Sequence, residues 1–234
     1  MKNTYNTALI VGAGDGLSAA IAHEFSGVGG MRIALAARNP AKLAALADDL
    51  DACALQCDAA DAAQVKKMFV QAGEFFGAPP DVVVYNPSFR VRGSIVDLDP
   101  EDVAKTLAVT AYGGFLVAQQ AALYMAPRGS GAILFTGASA SIKGYPLSAP
   151  FAMGKFALRG LAQSLARELA PNGVHVAHFV IDGGIRSANR SEPADAPGSL
   201  LDPEAIASNY LNVLDQDRSA WTWEMELRPW VEKF

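Results

Sequence analysis

Short apolar runs alternate with longer stretches of helical periodicity along most of the chain. The runs Thr7–Val11, Arg32–Ala36, Ala52–Cys57, Val82–Tyr85, Ala132–Thr136 and His175–Ile181 are too short for helices and read as buried strands. Between them, Leu17–Ser26, Pro40–Leu50, Ala62–Phe76, Pro100–Met125 and Ser148–Leu169 repeat apolar residues at helical spacing. Strands that alternate with helices need crossover connections. The predicted fold is therefore α/β, a doubly wound Rossmann-type parallel sheet with helices on both faces. No linker or repeat interrupts this rhythm, so residues 1–234 are read as one domain.

The C-terminal part breaks the rhythm. Ser187–Ser199 is rich in Ser, Pro, Asp and Ala and reads as a loop or lid, which makes residues 187–234 a C-terminal extension. Asp202 and Pro203 then suit the cap and first position of a helix that ends near Leu214. Within Ala220–Phe234, the alternation Trp221-Thr-Trp-Glu-Met-Glu-Leu predicts a final edge strand. Trp221, Trp223 and Trp230 either cap the core or face a partner.

Composition narrows the functions. Hydrophobic residues make up 51% of the chain, enough to cover both faces of a sheet. A net charge of −5 argues against nucleic acid or an anionic membrane as partner. No stretch reaches the roughly 18 apolar residues that a membrane helix needs. The polar start, Met1 to Thr7, leads straight into a strand, which predicts a cytoplasmic chain. Cys53 and Cys57 have no histidine near them in sequence, so no metal site is expected.

Chemistry enters at Ala8-Leu-Ile-Val-Gly-Ala-Gly-Asp-Gly-Leu-Ser18, a strand, a glycine turn and a helix start. Gly12 allows the tight turn, and Gly14 and Gly16 let a pyrophosphate approach the backbone. The helix opening at Leu17 offers free N–H groups and its positive dipole end. Gly12 to Ser18 resembles the GxxxGxG loop of the short-chain dehydrogenase/reductase family, with Ser18 in place of the last glycine. Asp58 matches that family's adenine-contacting aspartate. Tyr85-Asn86-Pro87-Ser88 resembles its NNAG stretch and keeps Asn86. Asp182-Gly183, with Ile185 and Ser187 beyond, resembles the segment beside the nicotinamide, with Asp182 replacing proline.

The resemblance runs from about Thr7 to Ser187. It implies an NAD(P)(H)-binding oxidoreductase with a small-molecule substrate, assembled as a homodimer or homotetramer through the helices at 100–125 and 148–169. Ala118, Ala121 and Ala122 would permit close helix approach there. The second strand ends in Ala36-Ala37-Arg38-Asn39, without the carboxylate that holds the ribose of NAD. Arg38 can meet a 2′-phosphate, although Asp15 would oppose one, so NADP is favoured over NAD.

The family's catalytic residues are an asparagine, a serine, a tyrosine and a lysine four beyond the tyrosine. Here those positions fall on Thr110, Ala138, Phe151 and Lys155, so only the lysine is retained. Loss of a proton donor costs about 10²–10⁴ in rate. Tyr145 is the candidate replacement acid, or else an aromatic lining residue. Strand alternation favours Ser141 over Ser139 as a hydrogen-bond donor. His23, His175 and His178 read as packing or surface groups away from this region. Two functions follow. One is an NADP-dependent oxidoreductase with altered acid catalysis, acting on a small apolar or aromatic carbonyl or alcohol that meets Phe89, Tyr145 and Leu147. The other is a non-catalytic dinucleotide-binding sensor or partner subunit. The first is preferred.

Overall fold

The computed structural model describes residues 5–232. In chain order, β1 (Thr7–Val11), α1 (Leu17–Gly27), β2 (Arg32–Ala37), α2 (Ala44–Asp49), β3 (Cys53–Gln56), α3 (Ala62–Phe76) and β4 (Val82–Tyr85) form the first half. The rest comprises α4 (Pro100–Leu107), α5 (Gly113–Arg128), β5 (Gly131–Thr136), α6 (Ala149–Leu169), β6 (Val174–Ile181), β7 (Gly184–Ile185), β8 (Leu200–Leu201), α7 (Pro203–Leu214) and β9 (Glu224–Leu227). Seven strands make one parallel sheet in the order β3-β2-β1-β4-β5-β6-β9. The order reverses between β1 and β4, and ligands of such sheets bind at that switch point, outside the carboxyl ends of the strands.

Each sheet face has its own apolar layer. Successive side chains of a strand point to opposite faces, so Leu9 joins a cluster with Val65, Tyr85 and Phe135, and Ile10 joins one with Phe25, Leu35 and Tyr210. The expected fold class is therefore the observed one. The six strand runs read from the sequence are β1 to β6.

The helices depart from expectation in two places. Pro40–Leu43 is a 3₁₀ turn, started by Asn39, whose side chain accepts the Ala41 N–H at 3.2 Å; the regular helix after it is only α2. The stretch expected as one helix over 100–125 is α4, a π-helical turn at Ala108–Tyr112, and α5. At that turn the Tyr85 hydroxyl donates to the Val109 carbonyl, an insertion of the kind that breaks a helix ladder. Ala118 and Ala121, expected to face a second copy, are instead buried in this chain's own core.

The C-terminal residues return to the sheet. Asp202 caps α7 by accepting the Glu204 N–H at 3.0 Å, and α7 packs on α1. β9 lies at the predicted edge, parallel to β6. Trp221 stacks on His175 with ring centroids 4.5 Å apart, Trp223 faces Arg159 and Arg167, and Trp230 is exposed. The expected strand region also took in residues 233 and 234, which lie outside the described residues. Among the described residues no helix is long and apolar enough to cross a membrane.

Candidate dinucleotide and substrate site

Two adjoining cavities of about 600 and about 610 Å³ open at the carboxyl ends of the strands and share Asn86 and Ser88. The first is walled by the glycine loop, the end of β2 and the segment after β3. Gly12 has φ +79°, and a Cβ there would lie 2.7 Å from the Pro87 nitrogen, so both backbone and packing require glycine. A Cβ on Gly14 or Gly16 would meet nothing within 4 Å. This open ground before the N-terminus of α1 fits a pyrophosphate. Ser18 compensates for the glycine it replaces: its hydroxyl accepts the Gly14 N–H at 3.0 Å and donates to the Gly12 carbonyl at 3.4 Å. Asn86 Nδ2 donates to the same carbonyl at 3.2 Å, tying the loop after β4 to the glycine loop. Arg38 and Asp58 both line this cavity, with Asp15. Lys42 lines it too; it sits in the 3₁₀ turn beyond Arg38, where a regular helix had been expected, and the sequence reading passed over it.

The second cavity lies at the ends of β5 and β6 and along the start of α6. Leu17, Tyr145, Lys155, Gly183 and Ile185 line it. Gly16 and Ser187 line neither cavity; Ser187 pairs its backbone with Arg190 in an isolated bridge. Lys155 is 3% exposed, donates to the Thr136 carbonyl at 2.7 Å, and has its pKa lowered to about 8 by burial.

The chain matches the short chain dehydrogenase family over residues 6–195. It belongs to that family. It is 33% identical over 175 residues to a 3alpha-hydroxysteroid dehydrogenase of Mediterraneibacter gnavus, covering 70% of this chain and 69% of the relative. A short-chain dehydrogenase structure from Rhodopseudomonas palustris is 34% identical, with TM-score 0.83 over 96% of this chain and 99% of that one. The fold also matches an alcohol dehydrogenase from the archaeon Thermococcus sibiricus complexed with 5-hydroxy-NADP. That likeness has TM-score 0.86 at 23% identity, over 97% of this chain and 98% of that one. The family binds NAD(P), and the open glycine cradle and buried lysine fit such a group.

Apart from Lys155, the positions that the family resemblance makes catalytic carry other groups in this chain. Phe151 stands one helical turn before Lys155, its ring centroid 5.9 Å from Nζ, and carries no hydroxyl. Thr110 lies in the π-helical turn, fully buried, and its hydroxyl has no hydrogen-bond partner among the described residues. Ala138 lines the cavity beside Ser139, whereas Ser141 does not reach it. The expectation that favoured Ser141 assumed a strand, but β5 ends at Thr136 and Ser139–Ser141 is a 3₁₀ turn of three residues per turn. Ser141 therefore turns inward, fully buried. Its hydroxyl accepts the Ala138 N–H at 3.2 Å and lies 3.3 Å from His178 Nε2.

His178 is consequently not remote from the site, as the sequence had suggested. Its Nδ1 is 3.1 Å from Glu224 Oε2, and burial lowers its pKa to about 4. The neutral ring donates from Nδ1 to Glu224 and accepts the Ser141 hydroxyl at Nε2. Glu224 is further gripped by Arg159 at 2.7 and 2.8 Å. Arg90 and Arg92 escaped the sequence reading, and Asp182, read there only as standing in for a proline, gains a cationic partner. Arg90 and Arg92 come from the loop after β4, and Asp182 from the end of β6, paired with Lys143 at 3.0 Å. Loops carry no periodicity, so only the folded chain brings them together.

Proposed function

We propose that the protein is an NADP-dependent oxidoreductase for a small carbonyl or alcohol, with proton transfer moved away from the tyrosine position. Lys155 carries this reading. Burying an ammonium group costs stability, and a leucine would fill that part of α6 without the cost. Its place on the second cavity suits it to hold the nicotinamide ribose. The glycine loop and the start of α1 would take the pyrophosphate, Asp58 the adenine, and Arg38 with Lys42 the 2′-phosphate. Gly183 and Ile185 would lie beside the nicotinamide. When bound, the dinucleotide supplies or accepts the hydride. Tyr145, which borders the same cavity, would give or take the proton that Phe151 cannot.

Titration with NADPH and NADH, followed by a carbonyl and alcohol screen, tests this. Arg38→Ala should weaken NADPH about ten- to a hundredfold, the worth of a charge-assisted hydrogen bond, and leave NADH nearly unchanged. Equal weakening of both overturns the NADP assignment. Tyr145→Phe should abolish turnover without changing NADPH affinity; surviving turnover rejects Tyr145 as the proton donor. The missing groups at Ala138, Phe151 and Thr110 favour a second reading, a non-catalytic nucleotide sensor or partner subunit. It holds if the wild type binds NADPH and turns over nothing, and Phe151→Tyr with Ala138→Ser gains nothing.

A further inference from the structure

The wall of the second cavity is cationic, although the chain as a whole carries a net charge of −5. Arg90 and Arg92 reach it from the loop after β4, and Arg190 from the opposite side, beyond β7. None of the three pairs with a carboxylate among the described residues. The acids on the same wall are Asp182, already held by Lys143 at 3.0 Å, and Glu232 at the rim. A guanidinium is a planar fork of donors that matches the two oxygens of a carboxylate.

Each of these arginines has a neighbour that limits its movement. Arg90 stacks its guanidinium on Phe151, 5.1 Å from the ring centroid, so the residue that replaces the tyrosine serves as its platform. The loop bearing Arg92 is fastened next to it, where the Gly93 N–H donates to the Leu147 carbonyl at 3.1 Å. Arg190 lies against the β7 backbone: its Nη1 would be 3.2 Å from a Cβ on Gly184. Unpaired cations on a concave wall raise the local concentration of an anion. The apolar part of the lining is Leu17, Tyr145, Phe151, Ile181 and Ile185, beside the polar Asn86, Ser88, Ser139 and Ser148.

From this arrangement we infer that the substrate is a carboxylate, a carbonyl or alcohol compound with an apolar body whose carboxylate is bound by Arg90, Arg92 and Arg190. The inference rests on the oxidoreductase reading above and replaces the small apolar or aromatic substrate expected from the sequence. It also gives the Phe151 ring a use, one that a tyrosine ring would serve equally well. The ring that cannot donate a proton orients the cation that holds the substrate's far end.

The test is calorimetric titration of NADP⁺-saturated protein with 4-oxopentanoate, phenylpyruvate and 4-acetylbenzoate, each against its methyl ester. At least one acid should bind about tenfold or more tightly than its ester, and added salt should erode the difference. Arg90→Ala with Arg92→Ala should bring that acid down to the level of its ester while NADPH affinity stays unchanged. Arg190→Ala should give a smaller loss of the same kind. Both sets lie on exposed side chains, and the contrast between acid and ester in the wild type needs no variant. The inference is overturned if no acid outbinds its ester. It is also overturned if the double variant loses NADPH by the same factor, since the arginines would then serve the dinucleotide. Acid binding without turnover of any compound keeps the carboxylate site and removes the oxidoreductase reading. Turnover of esters and acids alike does the reverse.

Discussion

At the scale of single residues, Lys155 joins the site to stability. Its pKa falls from an ordinary 10.5 to about 8 because burial disfavours its charge. Below about 8 both folded and unfolded chains carry the proton, and the folded state bears the full cost of the buried charge. Between 8 and 10.5 the unfolded chain binds the extra proton, so this group makes stability rise with pH, by about 3 kcal/mol in all. Denaturant melts at pH 8 and pH 10 should show that gain in the wild type relative to Lys155→Met. Parallel curves for the two proteins would mean that the amine is not buried as described. His178 has the same sign at the acid end. Its pKa is depressed from 6.5 to about 4, so its contribution is present above 6.5 and is lost as pH falls through 4. Neither shift is legible in sequence, because both come from what β5, β6 and β9 place around the side chain.

At the scale of elements, the glycine loop separates folding from binding. Gly12→Ala meets a positive φ and the Pro87 nitrogen together and should destabilise the whole protein. Gly16→Val has nothing within 4 Å of its Cβ, so it should fold yet lose dinucleotide affinity, because a branched side chain at the cap of α1 would crowd the pyrophosphate proposed for that helix start. Calorimetry beside a thermal melt checks both, and unchanged affinity in Gly16→Val would put the cofactor elsewhere. Elements that bury whole faces were readable from the chain. β1 to β6 are compact apolar runs, and α7 announced itself through Asp202 and Pro203. The misreadings share a cause. The π-helical turn depends on Tyr85 reaching across from β4, and the inward turn of Ser141 depends on β5 stopping at Thr136. Contacts from elsewhere in the fold decided both. Arg90 and Arg92 sit where no repeat exists to be read, and Asp182 was legible only through the family resemblance.

At the scale of the whole molecule, the apolar surface moves the expected interface. Ala118 and Ala121 are spent inside the chain, while Tyr112, Phe115 and Leu123 around α5 and Met153 and Phe156 on α6 stay exposed. Light scattering at micromolar concentration should give a dimer or tetramer, and Phe115→Glu with Phe156→Glu should dissociate it. A monomeric wild type would contradict an interface on these helices. β9, finally, sets an order of events during synthesis. β1 to β4, with the wall proposed for the adenine, precede Asn86 in the chain. The end of β6 gains its second neighbour only when Glu224–Leu227 has been made, and the Asp182 N–H then donates to the Leu227 carbonyl at 2.8 Å. In a chain still on the ribosome, the strands that would wall an adenine slot are made while the end of β6 is still an unpaired strand edge and α7, which packs on α1, is still to come. Nucleotide met at that stage would steady the early half of the sheet before the late half is complete.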